Sequence, residues 1–232
     1  MGIQENYISV KQNVREICER TGRNPDEIQI IAVSKTFPIT NIIELYSEGQ
    51  TDFGENRIRE LRDKYYNVSF QYHESVKINW HMVGHLQSRK VKDLIAFIHL
   101  IHSVDSFDLA KEIDTYSKKI NKVTDILIQV NTSRESQKYG LDPSVVKEVC
   151  SQIKALPNIR IKGLMTIAKF TEDKNVIRES FKSLKTLFDE MKKLFSDMEH
   201  LSMGMTNDYE IAIEEGSTML RIGSAIFGER KV

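Results

Sequence analysis

Eight short β-branched runs alternate with longer stretches of helical period, and this alternation constrains the fold more than any other feature of the sequence. The runs are residues 28–34, 51–53, 79–83, 99–103, 125–130, 160–165, 199–202 and 218–222. Between them the pattern predicts helices over 39–48, 56–66, 88–97, 106–119, 142–152, 174–195 and 207–215. The clearest is 174–195, where Val176, Ile177, Phe181, Leu184, Leu187, Phe188, Met191 and Leu194 make one apolar stripe. A further amphipathic helix over 4–20 precedes the first run, with Ile8, Val14 and Ile17 on its predicted inner face. Residues 67–78 read as a loop excursion.

Regular strand–helix alternation implies parallel strands joined by right-handed crossovers. An open doubly wound sheet and a closed barrel both satisfy it. The first strand–helix junction, VSKTFPIT, lacks the glycine-rich fingerprint of a dinucleotide-binding unit. Eight strands in 232 residues suit a barrel, a fold that typically takes about 250 residues. No Pro/Gly/Ser-rich linker divides the chain. The expectation is therefore α/β class: a single (β/α)8 TIM barrel with an extra N-terminal helix, one domain over residues 1–232.

Charge and cysteine usage exclude several functional classes. The chain carries 33 basic and 33 acidic residues, so nothing draws it globally toward nucleic acid or an anionic membrane. Cys18 and Cys150 lie in helix-like stretches without a CxxC pattern and read as buried free thiols in a reducing compartment. The start, MGIQENYISV, has no signal-peptide pattern, and no apolar run approaches membrane-spanning length. A cytoplasmic monomer is expected.

In a barrel, functional groups gather at the C-terminal ends of the strands. Those ends bear Lys35, Gly54-Glu55-Asn56, His81 to Gly84, Ser103, Asn131, Met165-Thr166, Ser202-Met203-Gly204 and Arg221-Ile222-Gly223. Ile31, Val33 and Lys35 share one strand face, so Lys35 should emerge at the top of the barrel interior. A partly desolvated amine there is suited to Schiff-base chemistry, although a strand-end lysine can equally snorkel to solvent. Gly223 and Ser224 after the last strand, with Ser202-Met203-Gly204 after the one before, are placed where barrels bind phosphate. The same glycines could simply make tight turns. Arg221 sits two residues below that turn, in reach of a ligand ring or of a carboxylate partner. His81 and His85 are spaced i, i+4 but flank a strand end without an HExxH pattern, so no metal site is expected. His81 is more simply a packed residue than a ring contact.

The segments IAVSKTFP (31–38), DFGENRIRE (52–60), WHMVGHLQSRK (80–90), GLMTIA (163–168), LSMGMTNDYEIAI (201–213) and GSTMLRIGSAIFGER (216–230) form a distinctive ordered set. On them the chain resembles the pyridoxal-phosphate homeostasis proteins, bacterial YggS and eukaryotic PROSC, along its whole length. The resemblance implies a barrel like the N-terminal domain of alanine racemase, of the third pyridoxal-phosphate fold type. It implies pyridoxal 5′-phosphate (PLP) held as a Schiff base on Lys35. Gly223, Ser224 and Ser202 would bind the phosphate, Arg221 would face the pyridine nitrogen, and Asn56 would lie near the cofactor. Thr206-Asn207-Asp208 departs from the family's more usual Ser-x-Asp, and Arg57 stands where many members have Tyr. The implied role is a cofactor carrier and buffer, with PLP-dependent apoenzymes as possible recipients and no established catalysis.

The competing reading is a PLP-dependent amino-acid racemase. Racemisation needs an acid or base on each face of the substrate. Lys35 could serve one face. Related racemases draw a tyrosine for the other from an additional C-terminal domain, which is not expected in a chain of this length; Tyr139 is the substitute considered.

Overall fold

The structure, a computed structural model, describes residues 2–133, 135 and 137–229, without the side chain of Glu74. The last arginine of the RIGSAIFGER motif, Arg230, lies outside the described residues. Eight parallel strands close into a barrel in sequence order: β1 (Gln29–Val33), β2 (Asp52–Glu55), β3 (Asn79–Met82), β4 (Ile98–Val104), β5 (Thr124–Gln129), β6 (Ile159–Met165), β7 (His200–Ser202) and β8 (Met219–Ile222). β1 pairs with β8, with Ile31 opposite Arg221, and so closes the ring. The expected barrel is the one observed.

The helices are α1 (Ile3–Thr21), α2 (Ile39–Ser47), α3 (Ile58–Tyr72), α4 (Phe107–Lys119), α5 (Val146–Ile153), α6 (Lys174–Lys192), α7 (Tyr209–Glu214) and α8 (Ser224–Phe227). α1 is the extra N-terminal helix and packs against α2, α7 and α8. Its buried residues are Tyr7, Val10, Val14, Ile17 and Cys18. Ile8, expected on the inner face, is 56% exposed, because it lies about 100° round the helix from Tyr7.

Two other expectations are corrected. The helix predicted over 88–97 is only a 3₁₀ turn, Ser88–Asp93, which delivers Val91 to the core before the chain turns into β4. Conversely, α3 runs through the expected loop as far as Tyr72. Leu61, Lys64 and Val68 repeat at three- and four-residue spacing along its buried face, and Tyr65 stacks on Phe97 with ring centroids 4.0 Å apart. Tertiary packing overrides the weak helical preference of Asn67, Val68 and Ser69.

The main apolar core lies between strands and helices and includes Phe53, Trp80, Ile101, Ile126, Leu164, Leu201 and Ile222. Two smaller clusters are separate from it: Ile31, Val33 and Val83, and Leu100, Leu127, Met165 and Met219. These residues alternate with the outer ones along the strands and so fill the barrel interior. A Cβ on Gly54 would come within 3.0 Å of Ile31 Cγ2, so this position must be bare for Ile31 and Val83 to meet. Cys18 and Cys150 are both buried and free, and burial pushes the Cys150 thiol up to about 12.

Candidate cofactor site

A cavity of about 930 Å³ opens at the C-terminal ends of the strands. That volume is at the upper end of the usual range for small-molecule sites, roughly 300–1,000 Å³. Of the residues singled out in the sequence, the structure brings Lys35, Asn56, Arg221, Gly223 and Ser224 to its wall. Val33 and Val83 supply its apolar floor, and Ile167 and Ile177 a flank.

Lys35 is half-buried in the turn that follows β1, above Val33. The next residue, Thr36, has a left-handed φ of 70°, a conformation that a β-branched side chain rarely adopts. A buried polar cluster from β2 and α3 holds this turn. Lys64 Nζ donates to Ser34 O at 2.7 Å, to Glu55 Oε1 at 2.6 Å and to Glu60 Oε1 at 2.8 Å. Glu60 in turn accepts from the Thr36 backbone N–H, and Ser34 Oγ donates to Glu55 Oε1 at 2.6 Å. The backbone on either side of Lys35 is thus tied to one ammonium. Burial raises the Glu55 carboxyl above its ordinary range, and Lys64 and Ser34 oppose that. The Glu60–Lys64 pair carries an i, i+4 signal that sequence reading could have used. The approach of Lys64 to Ser34 and Glu55 has none.

Arg221 projects from β8 into the barrel and is only 4% exposed, yet it reaches the cavity wall. Its Nη1 donates to Ser202 Oγ at 2.7 Å and its Nη2 to Thr166 O at 2.8 Å. Burial lowers its pKa to about 10, opposed by Asp208, so it is still a cation at neutral pH. Among the described residues no carboxylate takes up the fork; a hydroxyl and a carbonyl do. On the other side of the β8 turn, Ser224 Oγ and the Ala225 backbone N–H both donate to Thr206 Oγ1 at 3.3 Å. Thr206 itself lines the cavity.

Two predicted site residues are not on the wall. Ser202 is fully buried below it, and its hydroxyl is engaged by Arg221 and, at 3.0 Å, by His102 Nδ1. His81 is also fully buried, bonded through Nδ1 to His102 Nε2 at 2.9 Å and through Nε2 to Asp52 Oδ1 at 3.0 Å. Neither side chain is among those that line the cavity, where Ser202 was expected to bind phosphate and His81 was weighed as a ring contact. Asp52 and His102 were not singled out from the sequence. They sit inside strands, away from the C-terminal ends. Asp52, His81 and the exposed His99 offer one metal-ligating atom each within 4.8 Å of one another, a grouping of strands β2, β3 and β4 that i, i+4 spacing cannot reveal.

Asp52 supports a pH prediction. Burial alone would raise its pKa, but His81, through its hydrogen bond and its charge when protonated, outweighs burial together with hydrogen bonds from Gln29 and Asn79 and holds it at about 2. A carboxyl depressed in the folded state stabilises above its unfolded pKa, and that contribution is lost as pH falls through the folded value. The shift from 3.8 to about 2 corresponds to roughly 2 kcal/mol. Asp52→Asn is expected to flatten the stability profile between about pH 4 and pH 2 in chemical denaturation. An unchanged acid limb would contradict the assignment.

Comparisons with known proteins agree with this architecture. A family model for the alanine racemase N-terminal domain matches residues 6–231. The pyridoxal phosphate homeostasis protein of Aquifex aeolicus is 40% identical over 232 residues, covering all of both chains. That of Escherichia coli K12 is 34% identical, over 98% of this chain and 97% of its own. Among solved structures, a protein of unknown function from Bifidobacterium adolescentis superimposes with a TM-score of 0.92 at 32% identity, over 97% of this chain and 94% of its own. PipY of Synechococcus elongatus, whose structure has PLP bound, does so with a TM-score of 0.80 at 30% identity, over 93% and 99%. The fold and the matched domain make this chain a barrel of the alanine racemase N-terminal class. Within that class it belongs to the pyridoxal phosphate homeostasis protein family.

Proposed function

We propose that this chain is a single PLP-binding domain over residues 1–232 that holds the cofactor reversibly on Lys35 and helps to maintain the intracellular supply of PLP. One observation carries the reading: an amine, a buried guanidinium and a hydroxyl-lined turn of a glycine and two hydroxyl residues face one cavity. PLP supplies an aldehyde that condenses reversibly with a lysine amine. The donor set fits that group. Lys35 provides the amine, Arg221 a permanent donor toward the ring nitrogen, and Gly223, Ser224 and Thr206 a polar cup for the phosphate. Asn56, on the same cavity wall, would contact the bound cofactor. Ser202 acts indirectly, by holding Arg221.

The reading is of a cytoplasmic carrier rather than a racemase. Tyr139, the acid considered for the second face, is 58% exposed and stacked on His85 at 3.8 Å between centroids. Among the described residues that line the cavity there is no tyrosine. PLP-dependent apoenzymes are the proposed recipients.

Phosphate recognition gives a direct test. A Cβ on Gly223 would have Val33 O at 3.5 Å as its nearest neighbour, an ordinary contact, so Gly223→Val should fold. Its γ-methyls would crowd the phosphate cup. Losing even one charge-assisted hydrogen bond, about 1.5–3 kcal/mol, weakens binding by roughly tenfold or more. Titration of absorbance should show that loss for PLP in Gly223→Val, and a smaller one in Ser224→Ala. Equal affinity of the parent protein for PLP and for unphosphorylated pyridoxal would overturn the reading.

A further inference from the structure

Below the cavity, four side chains connect Arg221 to the N-terminal end of β2. Arg221 Nη1 lies 2.7 Å from Ser202 Oγ, Ser202 Oγ 3.0 Å from His102 Nδ1, His102 Nε2 2.9 Å from His81 Nδ1, and His81 Nε2 3.0 Å from Asp52 Oδ1. Ser202, His102 and His81 are fully buried, and the Asp52 side chain is 13% exposed.

Hydrogen-bond chemistry leaves this chain a single polarity. Arginine carries donors only, so Ser202 Oγ accepts at the first link. With both rings neutral and Asp52 ionised, each ring must carry its proton on the Asp52 side, so the one serine proton goes to His102 Nδ1. A neutral imidazole that accepts at Nδ1 carries its proton at Nε2, so His102 donates to His81 Nδ1. By the same rule His81 carries its proton at Nε2 and donates to Asp52, an ionised carboxylate with acceptors only. For neutral rings, an acceptor-only carboxylate at one end and a donor-only guanidinium at the other prevent reversal. The surroundings favour neutral rings: burial lowers both histidines, and His102 also faces Arg221, His81, His99 and His200. Asp52 is the acidic group opposed to them, and it also accepts from Gln29, from Asn79 Nδ2 at 3.1 Å and from Thr51 Oγ1 at 3.0 Å.

We infer that Asp52, His81, His102 and Ser202 are positioning residues for the cofactor site, forming a one-way hydrogen-bond chain that fixes the Arg221 fork and subjects the ligand ring to a carboxylate at the far end of the barrel. The polarity rests on the side chains alone. The effect on the ring rests on the PLP reading above.

The two parts are tested separately. Long-range ¹H–¹⁵N spectra of ligand-free protein, with the six histidines assigned by single substitution, should show His81 and His102 neutral with Nε2–H from pH 6 to 8. An Nδ1–H tautomer or an imidazolium at either position overturns the chain. The second test compares His102→Leu with His102→Gln. Glutamine can accept from Ser202 and donate to His81, keeping the direction, whereas leucine cuts it. In the Leu variant the pH midpoint of the absorbance of PLP held on Lys35 should move, and PLP affinity should fall by roughly threefold or more, the loss of one modest hydrogen bond. The Gln variant should restore both. Identical midpoints in parent, Leu and Gln proteins would overturn the tuning role. If the Leu variant does not fold, Ser202→Ala makes the same cut one link closer to Arg221. The tautomers found as stated in a protein that binds no PLP would refute the proposed function and leave the polarity standing.

Discussion

Lys35→Ala is expected to abolish borohydride-stable labelling by PLP, while the parent protein acquires one phosphopyridoxyl group, on the peptide that contains Lys35. The cavity wall makes this a demanding test, because Lys138, Lys169 and Lys174 line it too. Proximity to an aldehyde therefore does not by itself select Lys35. What distinguishes Lys35 is its setting: above the Val33–Val83 floor, on a turn held by Lys64 and Glu60. A partly desolvated amine is more readily neutral, and only the neutral amine attacks a carbonyl. Mass mapping after reduction should find more than about nine-tenths of the label on Lys35, since a preference of 1.4 kcal/mol already gives tenfold. Label on Lys138 or Lys169 in the parent protein would remove Lys35 from the central role. The Ala variant should keep weak, non-covalent affinity through Arg221 and the Gly223–Ser224 turn.

The sequence carried the barrel because strand–helix alternation is a local pattern and each strand buries alternate residues on two faces. All eight strands lie where β-branched runs predicted them. Helix ends were less legible. α3 outran its predicted end because Val68 and Tyr65 find partners that only the folded chain supplies, and 88–97 lost its helix to the short approach into β4. For the site, reading strand ends located Lys35, Asn56, Arg221, Gly223 and Ser224, since a barrel places its rim residues at predictable positions. Strand ends could not reveal depth. Ser202 ends β7 and so looked like a rim residue, yet its side chain points into a polar interior with His102 and Arg221. Asp52, His102 and Lys64 escaped notice because each acts across the barrel or between elements, at separations that carry no periodic signal.

The last of these omissions has the largest expected effect on stability. Lys64 is 8% exposed and Glu55 is fully buried, so their ion pair is shielded from solvent. Among the described residues Glu55 Oε2 has no hydrogen-bond partner, which leaves Lys64 and Ser34 to compensate the carboxylate through Oε1. Removing one member of a buried pair costs about 3–5 kcal/mol, mostly from the charge left behind. Lys64→Met preserves the aliphatic stem and should lose about that much in denaturant titration at neutral pH. The loss should depend on pH in a definite direction. Burial already raises Glu55 above its ordinary 4.5, and deleting the ammonium raises it further. A carboxyl whose folded pKa exceeds its unfolded value destabilises the fold when ionised, and that penalty fades as pH falls toward the unfolded value. The gap between Lys64→Met and the parent should therefore narrow as pH falls from the folded Glu55 pKa toward its unfolded value. The folded variant should also bind PLP less tightly, because Ser34 O and Glu60, which hold the turn around Lys35, have lost their shared donor. A gap that is constant with pH would mean that Glu55 does not carry the charge. Normal PLP affinity in the refolded variant would mean that the cluster supports the barrel without setting Lys35.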